Sequence, residues 1–337
     1  MPRPLETHID WTSSDVADPK VWTVALDEAD HRELDAALTH AKSVSDNLLD
    51  IGREHFPLDR LARKLEGIGR ELIDGRGFTR ISALDAGRYG DDDLTMLYWG
   101  IGLHLGDPWP QNAKGHVMGD VTDQGKKLSD PTFRGNELGQ VALDYHTDGA
   151  DLIGLMCLRK ARQGGLSCVA NAVAIYNELV RTRPDLAAAL FEPLPYDLRG
   201  EQAPGAKPFY TFPVFTAHKE RFFIRFIPAY IRASQRHAEA PRLSPLALEA
   251  LDTVSAMARD PRFNVYMDLE PGEMQFINNY HVLHGRTSYE DGDGHKRHFK
   301  RLWLATHYLK DRPSHFRRNF DHHWAKNRSV SKMAVAQ

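Results

Sequence analysis

Two apolar patterns divide the chain. Leu58, Leu61, Leu65, Ile68 and Leu72 recur at spacings of three and four, a stripe that a helix buries on one face. Pro57 suits the first turn of that helix, and Gly75-Arg76-Gly77 ends it. A second helix is expected to start at Asp91-Asp92-Asp93, whose acidic side chains match the helix dipole, with Leu94, Leu97, Tyr98, Ile101 and Leu105 inward. The segment "GDPWPQN" then forces a loop, because two prolines in three positions break any helix. A helical portion over about residues 27–105 follows from this reading.

From about residue 141 the pattern becomes one of strands. "LIGLMCL" is a short continuous apolar run, bounded by Gly149 and by Gln163-Gly164-Gly165. A helix is expected from Val173 to Leu190, interrupted near Pro184, followed by the strand candidates "FYTFPVF" and "RFFIRFI". Ser244-Pro245 reads as the cap and first position of a helix reaching Ala258. Phe263, Val265, Met267 and Leu269 alternate with Asn264, Tyr266, Asp268 and Glu270, as in a half-buried strand. "MQFINN" and "HFKRLWLATHYL" supply two late strands. Strands with long helical insertions and no alternating βα rhythm point to an antiparallel, mainly β core decorated with helices. Residues 311–337 form a basic tail.

Composition narrows the class. In 337 residues, 42% hydrophobic and 26% charged content is ordinary for a globular protein that buries a large core. A formal net charge of −3 gives no electrostatic reason to expect nucleic acid or an anionic membrane. No stretch approaches the roughly 20 apolar residues of a membrane span, and the N-terminus has no apolar leader segment. Cys157 and Cys168 both sit in apolar runs and are expected as buried free thiols. The expected setting is the reducing cytoplasm.

One histidine pattern has chemical content. With 17 His and 46 acidic residues, about two His-x-Asp/Glu triplets are expected by chance, and five occur. His31/Glu33 and His237/Glu239 lie on expected helices, where an offset of two points side chains apart. His8/Asp10 sits in a polar terminus and His218/Glu220 at a solvated hairpin tip. His146/Asp148, in "DYHTDGAD", is the pair at the mouth of a buried strand, where residues two apart face one side and grip one ion. A third ligand has to come from elsewhere, and "NNYHVLHGRT" offers His281 and His284. Three apart in extended chain, they face opposite sides, so one of them joins the site, and spacing alone does not choose. Arg297, Phe299, Arg301 and Trp303 share one face of a late strand, and buried arginines demand carboxylate or phosphate partners.

Residues 141–304 resemble the taurine dioxygenase / clavaminate synthase-like family of iron(II)- and 2-oxoglutarate-dependent oxygenases. The resemblance rests on "HTDGADLIGLMCLRKARQGGLS", on "PGEMQFINNYHVLHGRT" and on the arginine pair of "KRHFKRLWL"; "GFTRISALD" and "LHLGDPWPQNAKG" extend it more weakly toward the N-terminus. It implies a single catalytic domain over residues 1–337, built as a double-stranded β-helix (jelly roll) over about 141–310 with N-terminal and inserted helices. It also implies His146, Asp148 and His284 as the Fe(II) ligands, the family histidine being the one in "VLHGR". Ser167 and Arg297 then match positions that hold the distal carboxylate of 2-oxoglutarate, and Arg301 the second arginine four residues on.

The implied reaction is oxidation, by hydroxylation, of a C–H bond of a small-molecule substrate with O2, releasing succinate and CO2. Two imidazoles and one carboxylate leave three metal positions open, which a closed structural site does not. Related halogenases carry a small residue where Asp148 stands, so its presence favours hydroxylation or desaturation. The alternative from another class is a non-redox jelly-roll metalloprotein, a metallohydrolase or binding module, using the same three ligands. It would leave the Ser167/Arg297 clamp without a purpose. The loop at Gln111-Asn112 and the segment before His146 are expected to meet the substrate.

Overall fold

A computed structural model describes residues 2–125, 135, 139–317 and 328–330. Most of the basic tail expected at 311–337, and most of the segment preceding His146, lie outside the described residues. The strands are β1 (Thr23–Ala25), β2 (Phe78–Ser82), β3 (Gly106–Pro108), β4 (His116–Val121), β5 (Leu143–His146), β6 (Leu152–Arg159), β7 (Gln163–Gly164), β8 (Ser167–Asn171) and β9 (Pro193–Asp197). They continue as β10 (Phe209–Pro213), β11 (Phe215–His218), β12 (Arg221–Ile224), β13 (Asn264–Met267), β14 (Met274–Asn278), β15 (Val282–Arg286), β16 (Tyr289–Glu290), β17 (His298–Thr306) and β18 (Ser329–Val330). The helices that matter for packing are α1 (Glu28–Val44), α2 (Arg60–Asp74), α3 (Asp91–Leu103), α4 (Ala172–Thr182), α5 (Pro184–Ala189), α6 (Pro228–Ala233) and α7 (Pro245–Arg259).

Two sheets carry the architecture. The larger runs β1-β2-β14-β6-β17-β4-β18 with β3 added on β17, and the smaller runs β13-β8-β15-β5. Phe78, Ile153, Ile277, Phe299 and Trp303 of the large sheet share one buried cluster with Val169, Val282 and Met267 of the small sheet. That cluster is the apolar interlayer expected when two sheets face each other. The outer face of the large sheet is covered by the helices: Leu34, Leu65, Leu72, Leu97 and Ile101 pack in one cluster with Met156, Phe276, Leu302 and Leu304. The interior strand β14 is therefore buried on both faces along its whole length, which explains why "MQFIN" shows no alternation.

Most expected elements form, with shifted bounds. The stripe Leu61, Leu65, Ile68 and Leu72 is the buried face of α2, but the helix begins at Arg60, leaving Pro57 and Leu58 before it. The expected helix from 173 breaks into α4 and α5 with Pro184 opening the second, and Ser244 caps α7 through its side chain. "FYTFPVF" splits into β10 and β11, and "RFFIRFI" is a strand only as far as Ile224. His237 follows a short 3-10 turn at Ser234–Arg236 and is not on a helix, in contrast to the expectation. In β13 the expected alternation fails at Asn264, which is buried and donates to Ala258 and Asp260 carbonyls.

The larger correction concerns where the β core starts. β2 lies inside the stretch read as helical, β3 inside the "GDPWPQN" stretch read as loop, and β4 in the stretch before residue 141 that was given no element, yet all belong to the large sheet, β2 beside β14 and β3 and β4 beside β17. "FTRIS" is too short to announce itself by period, and its partner lies about 200 residues away. Pairing with β14 makes it a strand.

Candidate metal centre and arginine pocket

The small sheet brings the two histidines together by register. In the β5–β15 ladder His284 stands directly opposite His146, and their ring centres are 4.3 Å apart. Such cross-strand neighbours are the closest side-chain pairs that a sheet makes. Asp148 closes the triangle: its Oδ1 lies 3.9 Å from His146 Nε2 and its Oδ2 3.7 Å from His284 Nε2. All three ligand atoms fall within 4.8 Å of one another.

Asp148 reaches this position by another route than the one expected. β5 ends at His146, so the two residues do not share a regular strand face. The peptide after His146 is instead pinned from both sides. Thr147 N–H donates to Phe226 O at 2.7 Å, and its Oγ1 accepts from Phe226 N–H at 2.9 Å. Asn279, on the β14–β15 turn, accepts from Asp148 N–H at 2.7 Å and donates to the carbonyls of Asp148 and Ala150, both at 2.8 Å. One asparagine thus holds three peptide groups of the motif, on either side of Asp148 and after Ala150.

Protonation states suit a metal. Burial, and then the neighbouring His284, pushes the His146 imidazole down to about 4, so it is neutral near pH 7. Its Nδ1 faces the Asp144 carbonyl at 2.8 Å, the contact that leaves Nε2 as the free lone pair. Burial by itself would raise Asp148; the Arg301 guanidinium, then His284 and His146, outweigh it and hold the carboxyl well below the usual carboxylate range. Oδ2 also accepts from Trp303 Nε1 at 3.0 Å. Two imidazole nitrogens and one ionised carboxylate oxygen within reach of one point are a donor set for a divalent transition metal, and iron(II) fits it.

His281 lies elsewhere. It is buried on the β14–β15 turn, its Nδ1 3.1 Å from Asn278 Nδ2, and a Cβ added to Gly77 of the α2–β2 connection would come within 3.5 Å of its Cβ. Burial pushes it down to about 4 as well, so protonation does not set it apart from His146. Register does: His284, not His281, faces His146.

The second half of the site is built by the glycine pair Gly164-Gly165, both with positive φ (72° and 73°). Here the chain passes so close to Arg297 that a Cβ on Gly165 would stand 2.9 Å from its Nε. Arg297 is 3% exposed; its Nη2 donates to Gly165 O at 3.3 Å, while Nη1 is buried with no partner among the described residues. Its guanidinium carbon stacks 3.8 Å from the centre of the Phe299 ring. Burial, and then the nearby Arg286, lowers Arg297 to about 10, which leaves it charged at neutral pH. Ser167 lines the same crevice, with Leu269 and Phe299 as apolar walls. A buried fork with an orphaned N–H beside a serine hydroxyl is a cradle for a carboxylate. Gly165→Ala should therefore raise the 2-oxoglutarate concentration needed for half-maximal turnover about tenfold or more, through strain at positive φ and displacement of Arg297. Iron binding by the distant His/Asp/His trio should be unchanged, as measured by equilibrium dialysis.

Arg301 belongs to the metal end. Its Nη1 is 3.4 Å from Asp148 Oδ2, and its Nε donates to Gln111 Oε1 at 2.8 Å. Gln111 in turn donates to the carbonyls of Arg301 (2.8 Å) and Val117 (3.2 Å). The loop expected to meet substrate thus also aims the second arginine. Sequence reading assigned no role to Asn279, Trp303 or Asp151. The polar doublet inside "FINNYHV" was a signal for the first. Asp151 is fully buried, accepting from Tyr280 Oη at 2.7 Å, from the Arg312 guanidinium and from Thr306 N–H at 2.8 Å. A carboxylate immediately before an apolar strand was the signal there.

A β-rich fold with a His/Asp/His triangle and a separate buried arginine cradle defines a class: metal-dependent enzymes that also hold a carboxylic acid. The chain belongs to the family described as taurine catabolism dioxygenase TauD, TfdA family, whose model matches residues 37–303. It is 30% identical over 311 residues to FR-33289 synthase of Streptomyces rubellomurinus, covering 90% of each chain. It is 28% identical over 310 residues to a taurine hydroxylase-like protein, SAT17, of Stachybotrys chartarum, covering 88% of this chain and 79% of that one. Among solved structures, asparagine oxygenase in complex with Fe(II), 3-hydroxyasparagine and succinate superimposes with a TM-score of 0.64 at 18% identity, over 85% of this chain and 94% of that chain, a likeness of fold. The protein is an Fe(II)- and 2-oxoglutarate-dependent dioxygenase that acts on a small molecule. The non-redox metalloprotein alternative gives way to this. Among the described residues, no helix is long and apolar enough to cross a membrane.

Proposed function

We propose that His146, Asp148 and His284 hold the iron and that Arg297 and Ser167 hold the distal carboxylate of 2-oxoglutarate. The carrying observation is the coexistence of the trio, within 4.8 Å, with a buried arginine whose Nη1 lacks a partner. With metal, 2-oxo acid and O2 bound, the centre supplies an oxidant for an unactivated C–H bond and releases succinate and CO2. The chain's own residues prepare it. Arg301, with His284 and His146, keeps Asp148 ionised, and Trp303 fixes its Oδ2. Burial keeps His146 neutral. Gln111 turns Arg301 toward the metal end, where it meets the 2-oxo acid's C1 carboxylate or an anionic group of the substrate. Hydroxylation is the outcome favoured by an intact carboxylate at Asp148.

The two facing sheets support reading the core as a double-stranded β-helix, and the continuous cluster joining α1–α3 to β14 and β17 supports one catalytic domain. Two buried free thiols are consistent with work in the cytoplasm. Anaerobic protein given Fe(II) and 2-oxoglutarate should show the weak visible charge-transfer band of such chelates. On admitting O2, a substrate screen should release succinate one-for-one with oxidised product. Turnover without O2, or with Zn(II) in place of iron, would overturn this reading.

A further inference from the structure

Immediately after β12 the fold buries an arginine that meets no carboxylate among the described residues. Arg225 is 7% exposed. Its guanidinium carbon lies 5.8, 5.4 and 5.2 Å from the ring centres of Tyr196, Tyr210 and Phe212, which β9 and β10 present to it. Tyr196 and Tyr210 stack at 5.2 Å, and Phe212 stands edge-on to both. Nε and Nη2 both donate to Tyr210 Oη, at 3.1 and 2.6 Å. Among the described residues Arg225 has no ion-pair partner, and its Nη1 has no acceptor. Tyr196 spends its hydroxyl on the Arg225 carbonyl at 2.6 Å. Tyr210, accepting twice, keeps its own proton to donate.

The position relates this group to the metal centre. Phe226, the next residue, is the one that pairs with Thr147 between the two ligands of the HTD segment. At the spacing of paired strands this sets the Arg225 α-carbon on the order of 10 Å from those of His146 and Asp148. A guanidinium withdrawn from water is costly unless an anion or strong acceptors meet it. Aromatic faces offset only part of that cost. For packing alone, leucine or methionine would fill the box without a charge to satisfy. Arg297, buried with an orphaned N–H, is the residue given to a carboxylate.

We propose that Arg225 and Tyr210 form a second anion subsite, which anchors a carboxylate or phosphorus-oxyanion group of the primary substrate beside the metal centre. The proposal rests on the oxygenase reading of His146, Asp148 and His284. The fork of Nη1 and Nη2 with the Tyr210 O–H would meet two oxygens of one such group. The test uses anaerobic protein loaded with Fe(II) and saturating 2-oxoglutarate, so that Arg297 is already engaged. Methylphosphonate and acetate are titrated separately by calorimetry, and the tighter binder gives the class. Arg225→Gln should weaken that binding at least tenfold while the charge-transfer band persists. Arg225→Lys, which keeps the charge and loses the fork, should weaken it several-fold and decides the matter if Arg225→Gln does not fold. Undiminished binding in the folded variants, binding lost on Arg301→Gln alone, or no binding of either anion to the wild type would each overturn the subsite. Absence of the band from the wild type would instead overturn the metal assignment.

Discussion

His146→Ala and His284→Ala should each abolish 2-oxoglutarate turnover, a loss of at least about a hundredfold, while His281→Ala keeps substantial activity. The expectation follows from register. His284 and His146 are cross-strand partners whose Nε2 atoms flank the same carboxylate, at 3.7 and 3.9 Å. Removing either leaves two ligands, and altering even an outer-shell partner of a metal site commonly costs 10–100-fold in affinity or activity. His281 contributes to the turn that carries Asn279, so its replacement should lower stability before it lowers metal affinity. Iron stoichiometry by atomic absorption, together with circular dichroism to confirm folding, checks all three variants. Retention of iron by His284→Ala with its loss in His281→Ala would reverse the ligand choice.

The next largest effect is expected at Arg297. Arg297→Lys should raise the 2-oxoglutarate requirement by about tenfold or more, corresponding to about 1.4 kcal/mol. A lysine has no planar fork to reach a carboxylate bidentately, and no plane to stack on Phe299. It would also be desolvated in the same crevice, which disfavours its charged form. Arg301→Lys should behave differently. Arg301 sits against Asp148 and is oriented by Gln111, so its loss should uncouple succinate release from substrate oxidation more than it weakens 2-oxoglutarate. The two arginines are four positions apart on a strand, roughly 13 Å at about 3.3 Å per residue, too far to share one carboxylate without a side chain folding back. Titration of 2-oxoglutarate against both variants, with succinate and oxidised product counted separately, distinguishes the roles. Equal losses, or the larger loss at Arg301, would overturn the division.

Much of this was legible locally. Apolar runs such as "LIGLMCL" and the stripe of α2 report burial through short-range periodicity, and caps such as Ser244 act within one turn. The residue types of the candidate site were legible too, because a His-x-Asp pair beside a buried strand and two arginines in an apolar segment are chemically conspicuous. What stayed hidden depends on partners remote in sequence. "FTRIS" becomes β2 by pairing with β14, nearly two hundred residues on. Asp148 joins the trio because Asn279 and Phe226 pin its loop, although β5 has already ended.

The amino-acid sequence by itself determined the residue types of the centre, the two candidate histidines and the mainly β class, since these rest on side-chain chemistry and local pattern. The tertiary structure decided which histidine faces His146, which arginine meets Asp148, and that Arg225 is buried with no carboxylate partner among the described residues. Those choices follow from strand register and loop anchoring, and the free energy that fixes them comes from contacts between segments distant in the chain.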